Sequence, residues 1–265
     1  MLVFIVAGTP TALTNASLNL AFSGPTDLRA LLYATALMFV AYTGYGRIAT
    51  LGEEVKNPQR TVPLAIIVTL FVTMALYVLV AAVGVGAVGA EALGAAANRA
   101  APLERASLSF GVGFVPRIVA FGAVTAMLGV LLNLVLGLSR VLMAMGRRRD
   151  TPGALAELDP QGKNPTRAVV VVGVVIGAIT LLGDVKTTWS FSAFTVLVYY
   201  AITNLAALYL PAAGRRFPRW VSVAGLVACV GLAFFVERPV WLAGVALIAV
   251  GLVWHRVARR LNGRE

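Results

Sequence analysis

Seven apolar runs, at 30–50, 63–88, 113–145, 168–183, 188–210, 220–236 and 239–257, constrain this chain more than anything else in it. About 20 such residues in a helix cross the ~30 Å hydrocarbon layer of a bilayer. In lipid an unpaired backbone N–H or C=O finds no water, so only helices and closed barrels can span. Barrel strands alternate apolar and polar residues, and no sustained alternation is present. The expected fold class is therefore an all-α polytopic membrane protein. Composition agrees: 59% of residues are hydrophobic and 12% charged, against ~45–50% and ~25% in soluble domains.

The net charge of +11 would suggest a nucleic-acid partner in a soluble protein. Here the charges sort by loop instead. One alternating set of loops holds Lys56 and Arg60, then Arg147, Arg148, Arg149, Lys163 and Arg167, then Arg215, Arg216 and Arg219, then Arg256, Arg259, Arg260 and Arg264. The other set holds only Arg29, Arg99, Arg105, Lys186 and Arg238. Lys and Arg accumulate in cytoplasmic loops, so the C-terminus is expected in the cytoplasm and residues 8–29 and 87–112 outside. Nucleic acid is thus not an expected partner; the lipid bilayer is. The N-terminal MLVFIVAGTP is too short to span and lacks the basic start of a signal peptide. It reads as the tail of a helix that begins upstream, with residues 1–7 its end and 8–29 an external loop.

None of the eleven Asp and Glu residues falls mid-span. No paired acids and no nucleophile–base spacing occur within the spans, so an enzyme is not expected. The single cysteine, Cys229, lies in an apolar run, and the single histidine, His255, in a basic stretch. No spacing suggests a metal site or a cofactor. Arg117 and Arg140, near the ends of the third run, read as cations reaching for the interface. Asn133, in the middle of that run, either bonds another helix or lines a cavity. GVVIG at 173–177 is a small-xxx-small motif that favours close helix packing, most often inside one chain.

The stretch AYTGYGRIATLGEEVKNPQR at 41–60 stands apart. Gly44 and Gly46 flank Tyr45 about halfway along 30–54. Irregular backbone at membrane depth survives only where protein buries it or where it lines a cavity. Interrupted helices are the sequence pointer to a transporter's binding site. With the chain entering from outside, the first half-helix ends near Ala41, Tyr42 and Thr43. A helix C-terminus carries about half a negative charge, which suits a cation or an ammonium group, and Tyr42 and Tyr45 can add an aromatic wall. The substrate-contact candidates are therefore Ala41, Tyr42, Thr43, Gly44, Tyr45, Gly46 and Asn133. Arg47 is either a gate residue or a structural cation that pairs with Glu53 or Glu54.

MFVAYTGYGRIATLGEEVKNPQRTVPLAI resembles the sixth helix and following loop of the amino acid–polyamine–organocation permeases, at Phe39, Ala41, Tyr42, Gly44, Tyr45, Glu53, Glu54, Asn57, Pro58, Arg60 and Pro63. GLSRVLMAMGRRRDTP at 137–152 is similar to the family's motif after the eighth helix, with Thr151 in place of the usual glycine, and APLERA at 101–106 resembles the loop before that helix. The resemblance implies an incomplete leucine-transporter-type fold. Residues 30–210 would be the second five-helix repeat, its first helix broken, and 211–265 two C-terminal helices with a basic cytoplasmic tail. The implied function is secondary transport of amino acids or related amines by alternating access at the plasma membrane. The first repeat, which the family uses to bind the substrate carboxylate, is not in the chain. The alternative is a scaffold, or one subunit of a carrier whose first half is separately encoded. The family's sodium site uses neighbouring Ser/Thr hydroxyls on the eighth helix; 113–145 holds only the isolated Thr125 and Ser139, which disfavours sodium coupling.

Overall fold

The computed structural model describes residues 1–19, 27–44, 55–96, 101–159, 161, 164–182, 184–211, 215 and 217–261. Its helices are α1 (Leu2–Asn19), α2 (Leu28–Phe39), α3 (Pro58–Val88), α4 (Ala90–Ala96), α5 (Pro102–Ser107), α6 (Val115–Arg147), α7 (Thr166–Leu182), α8 (Val185–Leu208), α9 (Arg219–Ala233) and α10 (Arg238–Leu261). Each of the seven apolar runs overlaps one of these helices. Among the described residues four, in α3, α6, α8 and α10, are long and apolar enough to cross a membrane. The other three fall short. α9, with 15 residues, rises about 22 Å at 1.5 Å per residue, and α2 is cut short by the break described below. The chain divides into two compact units, Met1–Pro25 with Gly44–Leu131 and Thr26–Thr43 with Leu132–Glu265.

In the first unit α1 lies along α3. Phe4, Ala12, Val80, Val83, Ala87, Ala106, Phe110 and Val115 form its buried core. The Phe4 and Phe110 rings meet at 5.0 Å in a tilted pair. The expected helix end at residue 7 and loop from residue 8 need correction, because α1 runs unbroken to Asn19. The physical reason is a stripe of small and amide residues at helical spacing. Gly8 sits directly against Phe110 and Val83, and a Cβ on Gly86 of α3 would lie 3.1 Å from the Ala12 methyl carbon. Asn15 Nδ2 donates to the Ala87 carbonyl at 3.2 Å and Asn19 Nδ2 to the Gly86 carbonyl at 2.9 Å. Those carbonyls belong to the last turn of α3, where no intrahelical donor remains. Two of the polar residues that made 8–19 look like a loop therefore cap the neighbouring helix. Thr9 and Thr14 donate their hydroxyls to the Ile5 and Pro10 carbonyls of the same helix.

In the second unit α8 is central. It packs most extensively on α9 and also on α10 and α2. Its buried residues Ser190, Ala193, Phe194, Leu197, Tyr200 and Ala201 recur every three or four positions, one face of a helix. Glycines bring the neighbours close. Gly244 of α10 rests on the Phe194 ring, and a Cβ on Gly225 of α9 would lie 2.5 Å from Asn204 Oδ1. At one end, α10 reaches the α6–α7 connection, where Trp254 Nε1 donates to the Asp150 carbonyl at 3.1 Å and His255 Nδ1 lies 3.9 Å from Asp150 Oδ1. At the other end, Tyr33 of α2, Lys186 of α8 and Glu237 before α10 meet. Residues that the loop-charge argument assigned to one side of the membrane are thus found together at each end. The 173–177 motif behaves differently from its expectation. A Cβ on Gly173 or Gly177 would meet nothing within 4 Å, so among the described residues the motif packs against no other part of the chain. α7 contacts chiefly the 3-10 turn Gly153–Ala156.

Candidate functional site

α2 starts cleanly and ends abruptly. Asp27 caps it, accepting from the Arg29 N–H at 2.9 Å. After Phe39 the helix tightens into a 3-10 turn over Val40–Tyr42. Thr43 then turns extended, at φ −89° and ψ 172°, and Gly44 adopts φ +107°. That φ lies where a Cβ is strongly disfavoured. The helix therefore ends at Tyr42, two positions before the first glycine and 13 residues into the apolar run.

The end of the half-helix is partly satisfied from within. The Val40 carbonyl accepts both the Thr43 N–H at 3.1 Å and the Thr43 hydroxyl at 2.7 Å. The Leu37 carbonyl, also in the last turn, accepts the indole N–H of Trp189 from α8 at 3.0 Å. Tyr200 of α8 stands edge-on to Phe39 at 5.5 Å and to Tyr199 at 5.2 Å. Tyr42 and Thr43 are half-buried and Gly44 is exposed. The arrangement is a helix C-terminus with its partial negative charge, backed by an aromatic wall from a helix about 150 positions later in sequence. It suits a group that is positive and donates hydrogen bonds. Among the described residues, no cluster of three His, Cys, Asp or Glu side chains could hold a metal ion.

Of the expected site residues, Ala41, Tyr42, Thr43 and Gly44 fall at this break. Asn133 sits exposed on α6, and none of that helix's most apolar stretch is buried; the structure does not bury Asn133 against the break. Tyr45, Gly46, Arg47, Glu53 and Glu54 lie outside the described residues. Trp189, Tyr200 and the Thr43 hydroxyl's bond to Val40 were not foreseen. Trp189 stands second in its apolar run, where a Trp reads as an interfacial anchor.

A family model for amino acid permeases matches residues 3–259. The chain belongs to the amino acid permease family. It is an integral membrane protein of the amino acid–polyamine–organocation superfamily and a transporter-family protein, not an enzyme. The match begins inside α1, so that helix is part of the family fold. An uncharacterized transporter of Mycobacterium tuberculosis (strain ATCC 25618 / H37Rv) is 43% identical over 234 residues, 88% of this chain and 52% of that protein. A vacuolar cationic amino acid transporter of Arabidopsis thaliana is 31% identical over 196 residues, 72% of this chain and 32% of its own length. A branched-chain amino acid permease of Bacillus subtilis (strain 168) is 28% identical over 239 residues, 87% of this chain and 51% of the relative. The chain spans about half the length, or less, of these curated relatives.

Proposed function

We propose that the chain forms the second half of a secondary transporter for amino acids or related amines that works by alternating access. In this reading the break at Ala41–Gly46 receives the substrate's ammonium group, and the missing first repeat supplies the other wall. The observation that carries it is the half-helix ending at Tyr42, whose terminal dipole favours a cation by about 0.3–1 kcal/mol, rising toward 2 where partly buried. The Tyr42 face can add a further ~0.5–2 kcal/mol as the site dries. The family match and the named substrates of the Arabidopsis and Bacillus relatives support an amino-acid cargo. The excess of Lys and Arg in the loops that share a side with the C-terminus supports an orientation with the C-terminus in the cytoplasm. Arg47, Glu53 and Glu54 would close the cytoplasmic end of the same helix.

The test is uptake of a labelled amino-acid mixture by proteoliposomes. One preparation holds this chain alone; the other holds it fused behind the first half of the Mycobacterium relative. The expected result is background uptake by the chain alone and saturable uptake by the fusion. Robust uptake by the chain alone would overturn incompleteness. A well-folded fusion that moves no amino acid or amine would favour the scaffold reading.

A further inference from the structure

We infer that Glu237 is a releasable clamp that ties the broken helix to the two helices beside it. One oxygen of this carboxylate, Oε1, accepts the Tyr33 hydroxyl of α2 at 3.1 Å and receives the Lys186 ammonium of α8 at 3.2 Å. Glu237 itself stands at the start of α10, where its carbonyl accepts the Val240 and Trp241 N–H groups. A single side chain therefore joins three helices that are 33, 186 and 237 residues along the chain.

The clamp acts on a defined lever. Tyr33 and Leu37 are one turn apart on α2, and Lys186 and Trp189 are one turn apart on α8. The two helices thus meet through two polar contacts. The inner one, Trp189 to the Leu37 carbonyl, lies beside the break. The outer one passes through Glu237. With the inner contact and the Phe39–Tyr200 ring pair as a pivot, opening the outer contact lets the start of α2 swing away while its broken end stays seated. The groups around the carboxylate are Tyr33, Lys186, the Asp184 that caps α8 through the Thr187 N–H and hydroxyl, and the adjoining Arg238.

Exposure makes the contact reversible. The Lys186 and Glu237 side chains are 65% and 40% exposed. An ion pair in water is individually weak and screened by salt, whereas a dry buried pair would be locked. A clamp that must open in each cycle needs the first kind. Its use as a gate rests on the transport reading; its existence as a clamp does not.

Hydrogen–deuterium exchange of the 265-residue chain in lipid nanodiscs tests it without any transport. In Glu237→Leu, which removes both acceptor oxygens, amide exchange across residues 28–39 is expected to rise several-fold, because a local contact sets the local opening equilibrium. Tyr33→Phe and Lys186→Met each remove one partner and are expected to give a smaller rise. Exchange in α3 and α9 should stay at the wild-type level in all three. Raising salt should mimic Lys186→Met but add nothing to it. If Glu237→Leu does not fold, the Tyr33→Phe and Lys186→Met pair decides. Unchanged exchange over 28–39 in the folded variants overturns the clamp, and so does a rise that spreads equally through α3 and α9. Either failure leaves the uptake experiment untouched, and a failed uptake experiment leaves this one standing.

Discussion

Gly44→Val in a transporting fusion of this chain should cut uptake about five- to thirtyfold, with little change in the amount of folded protein in the membrane. The effect is conformational. Gly44 holds φ +107° and a Cβ there would meet nothing within 4 Å, so a new side chain has room but the wrong backbone. A β-branched residue avoids positive φ more strongly than most, and a cost of roughly 1–2 kcal/mol shifts the local equilibrium by about five- to thirtyfold. The chain would relieve that strain by extending the 3-10 turn or re-registering Thr43, and the helix end would then point elsewhere. The control is Gly173→Ala in α7, which also meets open space but carries no positive φ; uptake there should be unchanged. Loss of uptake in Gly173→Ala and none in Gly44→Val would contradict the account of the break.

Gly244→Ala should strongly destabilise the second unit. The Gly244 backbone rests on the Phe194 ring, and the added methyl would occupy the same space as that ring. Phe194 is itself 2% exposed and sits in the buried stripe of α8, so it has nowhere to turn. Overpacking of this kind costs about 1–3 kcal/mol, and close helix approach through small residues is a main source of association energy in membranes. At about 2–4 °C per kcal/mol for a chain of this size, the melting temperature should fall by roughly 2–12 °C. Gly251→Ala, two turns further along α10, meets open space and should leave it unchanged. Adding Phe194→Leu to Gly244→Ala should recover part of the loss; a double variant no better than the single one would place the damage elsewhere.

The parts of this fold that were legible in the sequence are those written locally. Long apolar runs mark helices because lipid leaves the backbone no alternative, and glycines in such a run mark a break because a residue without a Cβ takes positive φ most readily. α1 was hidden for the opposite reason. TPTALTNASLN reads as a loop until the α3 carbonyls of Gly86 and Ala87 are placed opposite Asn15 and Asn19. The GVVIG motif was legible as a close-packing surface, yet none of the described residues fills it. A motif states what a helix face can accept, and the partner is set by topology. The aromatic wall at the break was illegible on the same grounds: Trp189 and Tyr200 carry no local sign that they will meet Leu37 and Phe39.

The most direct test of the break as the substrate contact is thiol protection at Thr43. Thr43→Cys in a Cys229→Ala background, with any cysteine of the fused first half also replaced, leaves a single thiol beside the helix end, since Cys229 is this chain's only cysteine and is buried. In the transporting fusion, the rate of its modification by a small cationic thiol reagent is measured with and without a transported amino acid. The account predicts modification slowed several-fold at saturating substrate, with half-protection near the substrate's KM. Unchanged modification in a variant that still transports would contradict it.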